Sequence, residues 1–330
     1  MRNQMRSSRS HVTFVFLLSF VACLLAVTGC RSEKLNTPNR APGTAEPAQQ
    51  SSSAAPTFQQ QRQNAEKQLR PQIETQRQQN QKEAEQTLNQ DAITAVQQTE
   101  QAIQAISQNK KDDALAAIEQ ATGKINILLA RNPTSALIPV DVQVVVIDAA
   151  PEDIKAIDQR LQQAKDATNQ KNLPVARLLL ASLVSELRIQ TTNLPLATYP
   201  GAMQQAARLL DQGKPQDAGK VLLTALNTLT FVDHIIPLPL ILAQAAIDQA
   251  NAQRQNKVLA QTLLQAAKNE VNRSQHLGYI GDDSEYKALD DEISNLQKQI
   301  NGPSDTTALF SHLRDRIAAF IKRQKEHVHH

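Results

Sequence analysis

The 330-residue chain has no tryptophan, and aromatic residues make up only 3% of it. Recognition by stacking on nucleic-acid bases is therefore disfavoured. Cysteine occurs twice, at positions 23 and 30, too few for a disulfide framework. Glycine occurs nine times and in no phosphate-cradling pattern. No nucleophile elbow and no metal-ligand pair at helical spacing is present either. These absences remove the common signatures of hydrolases, nucleotide-binding enzymes and metalloenzymes. They leave a chain rich in alanine, leucine and glutamine.

Long hydrophobic runs are also scarce, with one exception. Val12 to Val27 is apolar except for Thr13 and Ser19, behind a positive stretch carrying Arg2, Arg6 and Arg9. That length is short for a membrane span and right for the core of an export signal. It ends in Val27-Thr28-Gly29-Cys30, which resembles a bacterial lipobox. The resemblance implies cleavage before Cys30 and lipidation of Cys30. A transmembrane anchor, or a plain signal with an accidental cysteine, is the alternative. With residues 1–29 removed, 32 basic and 32 acidic residues remain, so the net charge falls to zero. The basic balance then belongs to the signal, and no electrostatic footprint for nucleic acid is left. Cys23 leaves with the signal and Cys30 is acylated, so no thiol remains for redox or nucleophilic chemistry.

Residues 31–57 are rich in Pro, Ser, Ala, Asn and Gln and read as a disordered tether. Residues 58–83 are Gln-rich and read as a solvated helix or more of the tether. Beyond them, one pattern organises the chain. It appears at Ala114/Ala117/Ile118/Ala121, Ala176/Leu179/Leu180/Leu183, Ala218/Val221/Leu222/Ala225 and Ala260/Leu263/Leu264/Ala267. Offsets of three, four and seven place each set on one helix face. The last three copies lie 42 residues apart; the first gap is 62. Each copy is the second helix of a hairpin. Gly213 ends the first helix of the third hairpin, because glycine enters the left-handed region without a Cβ clash. Pro215 and Pro174 suit first turns, Asn172 is a candidate cap, and Lys171, Lys214 and Lys257 mark the turns. The turn at Asn256–Lys257 is weak, so one long helix is a near alternative there.

Leu137 to Pro151 breaks the helical rhythm with a β-branched run between Pro139 and Pro151, the best strand in the chain. Leu187–Leu196 and Leu229–Pro237 follow second helices in the same way. A lone strand leaves its backbone unpaired, so the three predict one small sheet. The fold class expected is therefore mainly α, a repeat-like bundle of antiparallel helical hairpins with a two- or three-stranded β element.

The order of these segments carries a resemblance. A Val-rich strand precedes Pro151-Glu-Asp-Ile154, a polar turn with Lys171 and an Ala/Leu helix. Leu187-Arg-Ile-Gln-Thr-Thr-Asn-Leu-Pro-Leu196 follows, then Leu209-Leu-Asp-Gln-Gly-Lys214 and Phe231-Val-Asp233. This is similar to the YfdX family of exported bacterial helical proteins, over roughly Asp91 to Pro239. The resemblance implies a helical exported domain with a small β element. It also implies a link to envelope stress, acid stress in particular, with no assigned reaction and no functional residue to transfer.

The expected organisation is a signal peptide over 1–29, a tether over 30–83, a helical domain over 84–300, and a C-terminal helix with a histidine-containing tail over 301–330. Leu289, Ile293, Leu296 and Ile300 form a narrow seam suited to a partner helix. That partner is expected within the chain, through Leu313 and Ile317, or in a second copy. His327, His329 and His330 could bind a transition metal or form a solvated tail. His234, beside Asp233 in an apolar run, reads as a structural histidine rather than a general base. Gly281 to Glu285 is acidic without calcium-loop spacing. No cofactor is expected. The function expected is a non-enzymatic binding or scaffolding module, lipid-anchored at Cys30 and facing the periplasm. Arg31, where a retention signal would have Asp, favours the outer membrane. A chaperone-like stress protein and an unrecognised enzyme are the alternatives.

Overall fold

The computed structural model describes residues 58–280, 284–302, 305–326 and 328–329. Cys30 and the signal segment lie outside the described residues, as do His327 and His330.

The four hairpins form as the repeat predicts. They are α2 (Gln90–Ser107) with α3 (Lys111–Arg131), α4 (Ile154–Asn169) with α5 (Leu173–Ala181), α6 (Tyr199–Asp211) with α7 (Pro215–Leu226), and α8 (Leu238–Ala252) with α9 (Lys257–His276). The first three turn by one device. Asn109, Lys171 and Gly213 take φ of +58°, +60° and +71°, each five residues before the first alanine of its copy. The next residue's N–H then reaches back across the turn: Lys110 to Ala105 O, Asn172 to Ala167 O and Lys214 to Leu209 O, at 2.9, 2.8 and 2.9 Å. This is the helix-ending geometry in which a left-handed residue satisfies orphan carbonyls. The fourth turn differs. Asn256 caps α9, its side chain accepting from the Leu259 N–H at 3.2 Å.

Each of the first three hairpins is followed by a strand or flanked by one: β1 (Leu137–Asp148), β2 (Ser185–Pro195) and β3 (Thr230–Pro237). They pair antiparallel in the order β1-β2-β3, and the two-residue β4 (Val328–His329) adds to β3 beside Asp233 and His234. A register shift between Pro139 and Asp141 rotates the end of β1. Ile138 and its partner Leu194 consequently join a different core from Val142, Val144, Leu187 and Ile189.

Two cores result. The first is a four-helix bundle, in which α2 packs on α7 and α3 on α6 around Ile118, Ile125, Met203, Leu210 and Leu222. Alanine supplies much of its helix–helix surface: Ala92, Ala95, Ala102, Ala114 and Ala218 are buried. The Tyr199 side chain lies fully buried in this core, and burial pushes the pKa of its hydroxyl up to about 12. The second core lies on one face of the sheet. It combines α8 and α9 with α10 (Ser284–Gln299), α11 (Thr307–Glu326) and α1 (Phe58–Glu85).

Two expectations need correction here. The segment 58–83 is not part of a tether: it forms most of α1, and Leu69 and Ile73 are buried in the second core. Gln81 also guards the open edge of β1, accepting from the Val144 N–H at 3.0 Å and donating to the Val142 carbonyl at 3.5 Å. A covered edge cannot template pairing with another chain. Nor does a boundary fall at 300/301, because Phe310, Leu313, Ile317 and Phe320 of α11 share a core with α10. The seam residues Leu289, Ile293, Leu296 and Ile300 are all buried there. They pack on α9 as well as on α11. The intramolecular version of the seam is what the chain builds, and α9 is the neighbour the sequence reading left out.

Candidate functional site

A wide concavity opens where the helices leave the sheet. Ile189 and Thr191 of β2 and His234 of β3 form its floor. Residues i and i+2 of a strand share a face, and Ile189 lies directly across from His234. Glu83 and Ala84, at the end of α1, form one wall with Thr87; Lys322 of α11 stands on the other. The cavity holds about 690 Å³, within the range of small-molecule sites. Apolar groups make most of its surface, with one carboxylate, one ammonium, one imidazole and two hydroxyls around it. β4 pairs with β3 at His234, so the C-terminal segment runs along the edge of the same floor.

The end of the sheet where Asp148 pairs with Ser185 carries a different kind of cluster. Arg273 of α9, 3% exposed, donates to the carbonyls of Pro151 and Ala150 at 2.9 and 3.1 Å. It also pairs with Glu270 at 3.3 Å and Asp148 at 3.5 Å. Tyr279 donates to Glu186 at 3.1 Å and accepts from the Ser185 N–H at 2.9 Å. Burial pushes the Tyr279 hydroxyl well above the ordinary tyrosine range, so it stays protonated as a donor. Arg188 grips the other oxygen of Glu186 through two nitrogens. This network fastens the ends of β1 and β2 and the start of α4 to α9. The space beside it is about 10 Å³, room for roughly one water, so it is a fastening and not a site. A groove of about 460 Å³ between α6 and α7 is lined in part by Thr224 and Thr228. Their hydroxyls are already spent on the carbonyls of Lys220 and Ala225.

Of the residues singled out by sequence, the structure brings only His234 to the cavity. The seam residues are core, and His329 is placed by its backbone alone. Among the described residues no group of three or more His, Cys, Asp or Glu could hold a metal. Glu83, Ala84, Thr87, Ile189, Thr191 and Lys322 were not anticipated. The alternation of Ile189 and Thr191 was legible as a strand face. The approach of α1 and α11, 239 residues apart from Glu83 to Lys322, had no local signal.

The architecture of three hairpins interleaved with three strands can be set against known proteins. Residues 95–235 match the family model described as YfdX protein. The chain contains a YfdX domain. Its limits fall within four residues of those expected from the resemblance. Among solved structures, Salmonella Typhi YfdX is similar at 14% identity, with 46% of this chain and 93% of that one covered and a TM-score of 0.31. No curated protein matches the chain. The YfdX domain holds nearly all of the first core, β1, β2 and most of β3, while α1 and α8–α11 lie outside it. The cavity therefore has a floor from the YfdX domain and walls from the flanking helices.

Proposed function

We propose that the protein is a binding module of the bacterial envelope. It is tethered through lipidated Cys30 to the outer membrane, faces the periplasm and serves the response to envelope or acid stress. The observation that supports binding is the cavity over Ile189, Thr191 and His234. Its size suits a small molecule, and its mostly apolar surface with a few convergent polar groups is the usual make-up of a ligand site. Glu83 and Lys322 would orient a polar end while Ala84 and Ile189 receive an apolar body. The tether favours a role beside the membrane, and the YfdX domain favours the stress setting.

Filling the cavity tests the binding role. Ala84→Phe places a ring into it from a partly buried position on α1. Anilinonaphthalene sulfonate, an apolar anion, is the probe. Wild-type protein should bind it, and the variant should lose affinity by about tenfold, the value of one good apolar contact. Equal binding by both proteins overturns the reading. The tether has a separate test: the wild-type chain should take up a fatty-acid probe in cells and Cys30→Ser should not. No label on the wild type removes the anchor.

A further inference from the structure

The second hairpin breaks the packing rule that the other three obey. Leu180 stands at the repeat position of Ile118, Leu222 and Leu264, all three buried, yet it is 52% exposed. α4 and α5 belong to neither core, and α4 touches α9 only near its base. The hairpin buries Ile157 and Leu183 at that base, and Ala164, Ala167 and Ala176 beyond it.

Its outer surface is apolar by substitution, and not merely for want of a neighbour. Leu173, Val175 and Leu178 occupy the positions of Lys111, Asp113 and Ala116 in α3, and of Pro215, Asp217 and Lys220 in α7. They are 53%, 41% and 73% exposed. At 100° per residue Leu178 points roughly opposite Ala176 and Leu183, Leu173 and Val175 stand on the two flanks, and Leu180 stays beside Ala176 on an uncovered side. α5 carries no acidic residue; its single charge is Arg177, exposed, and Lys171 stands exposed in the turn before it. Scattered surface leucines need no explanation, but four large apolar side chains on a nine-residue helix form a patch.

We propose that the exposed face of α5 lies on an anionic lipid surface. The patch is too small for a second copy of the chain. Nine residues span about 13.5 Å and present a strip about 10 Å wide, far below the roughly 800 Å² per partner of a stable interface. A bilayer sets no such minimum when an acyl chain already holds the protein beside it, since two weak signals together give stable attachment. Leu178 enters the boundary between headgroups and acyl chains, with Leu173 at its flank. Arg177 reaches back to phosphate along its aliphatic stem, and Lys171 adds a second positive charge. The proposal rests on the Cys30 anchor for the protein's place in the cell. It adds a second point of attachment, which fixes the orientation of the domain over the membrane.

The test uses residues Arg31–His330, which hold both cores and omit Cys30. The protein is co-sedimented with vesicles of phosphatidylethanolamine and phosphatidylglycerol. Leu178→Lys copies the natural Lys220 of α7, so the helix tolerates it, and Leu223→Lys on α7 is a control of similar exposure to Leu180. The wild type should bind, Leu178→Lys should bind about tenfold less, as expected for one leucine kept in water, and Leu223→Lys should bind like the wild type. Binding should weaken on vesicles of phosphatidylcholine alone. No binding by the wild type, or equal binding by Leu178→Lys, overturns the proposal. A concentration-dependent dimer that Leu178→Lys dissociates overturns it in favour of a second copy. Because Cys30 is absent here, failure leaves the anchor standing, and a missing fatty-acid label leaves this result standing.

Discussion

Hairpins α4–α5 and α6–α7 are written in the same grammar and used in opposite ways. Both open their second helix near a proline, both turn through a left-handed residue, and both place an alanine five residues later. The third hairpin spends its apolar face on α2 and α3, so Leu222 is fully buried. The second spends only one side of α5 on α4. The motif specifies a hairpin; what covers the hairpin is decided elsewhere, by what the topology brings near. The first core needs two hairpins to close, and α2–α3 with α6–α7 already satisfy each other. The second hairpin is the odd one out, held at its base by Arg273 and Tyr279.

The comparison makes its largest claim at one repeat position. Leu222→Ala should cost about 2–5 kcal/mol, as truncation of a buried leucine does. Leu180→Ala should cost less than about 0.5 kcal/mol, as surface changes do. Chemical denaturation of each variant measures both. Equal losses would mean that α5 has a partner inside the chain.

The turns offer a smaller and sharper contrast. Gly213 and Lys171 share the left-handed region, but only glycine enters it without strain. A Cβ at 213 would meet nothing within 4 Å, so Gly213→Ala should cost only the backbone term, about 1–2 kcal/mol. Lys171→Gly should go the other way and gain up to about 1 kcal/mol, part of the relief being returned as chain entropy. Thermal melts that moved in the same direction for both would dissolve the equivalence of the two turns.

The smallest effect concerns acid. Asp91 accepts from Lys124 at 2.8 Å across the α2–α3 pair, with Arg131 at 3.3 Å, and this hydrogen bond holds its carboxyl below the usual range. A depressed carboxylate stabilises the fold above its unfolded pKa of about 3.9, and that contribution is lost as pH falls through the folded value. Stability of the wild type should therefore decline more steeply below about pH 4 than that of Asp91→Asn. Parallel profiles would remove Asp91 from the acid response.

How far the sequence could be read follows from the range of each interaction. Hairpins, turns and strands rest on local spacing, and they were legible down to Asn172 and Gly213. The strands had to pair because lone strands leave the backbone unsatisfied. The helix of α1 was one of two readings, but its packing was missed because glutamine dominates it, and Leu69 and Ile73 gave no period long enough to see. The cavity was illegible for a related reason: its floor is local to β2 and β3, but its walls come from the two ends of the chain. His234 was visible as a residue and not as part of a site. The bareness of α5 was hidden in plain view, since Leu180 fits the motif as well as Leu222 does.

The second core draws on α1 and on α8–α11, with the whole YfdX domain between them in the chain. This ordering governs synthesis. Leu69 and Ile73 are among the first residues of the folded part to emerge, and the helices that cover them follow more than 150 residues later. The loop to be closed is long, and its entropy must be met before any contact rewards it. The leading segment can meet β1 early, through Gln81, but its cover from α8 and α9 comes late in the chain. Both walls of the cavity therefore exist only once α11 has been made, so the site is absent from the chain until nearly its last residues.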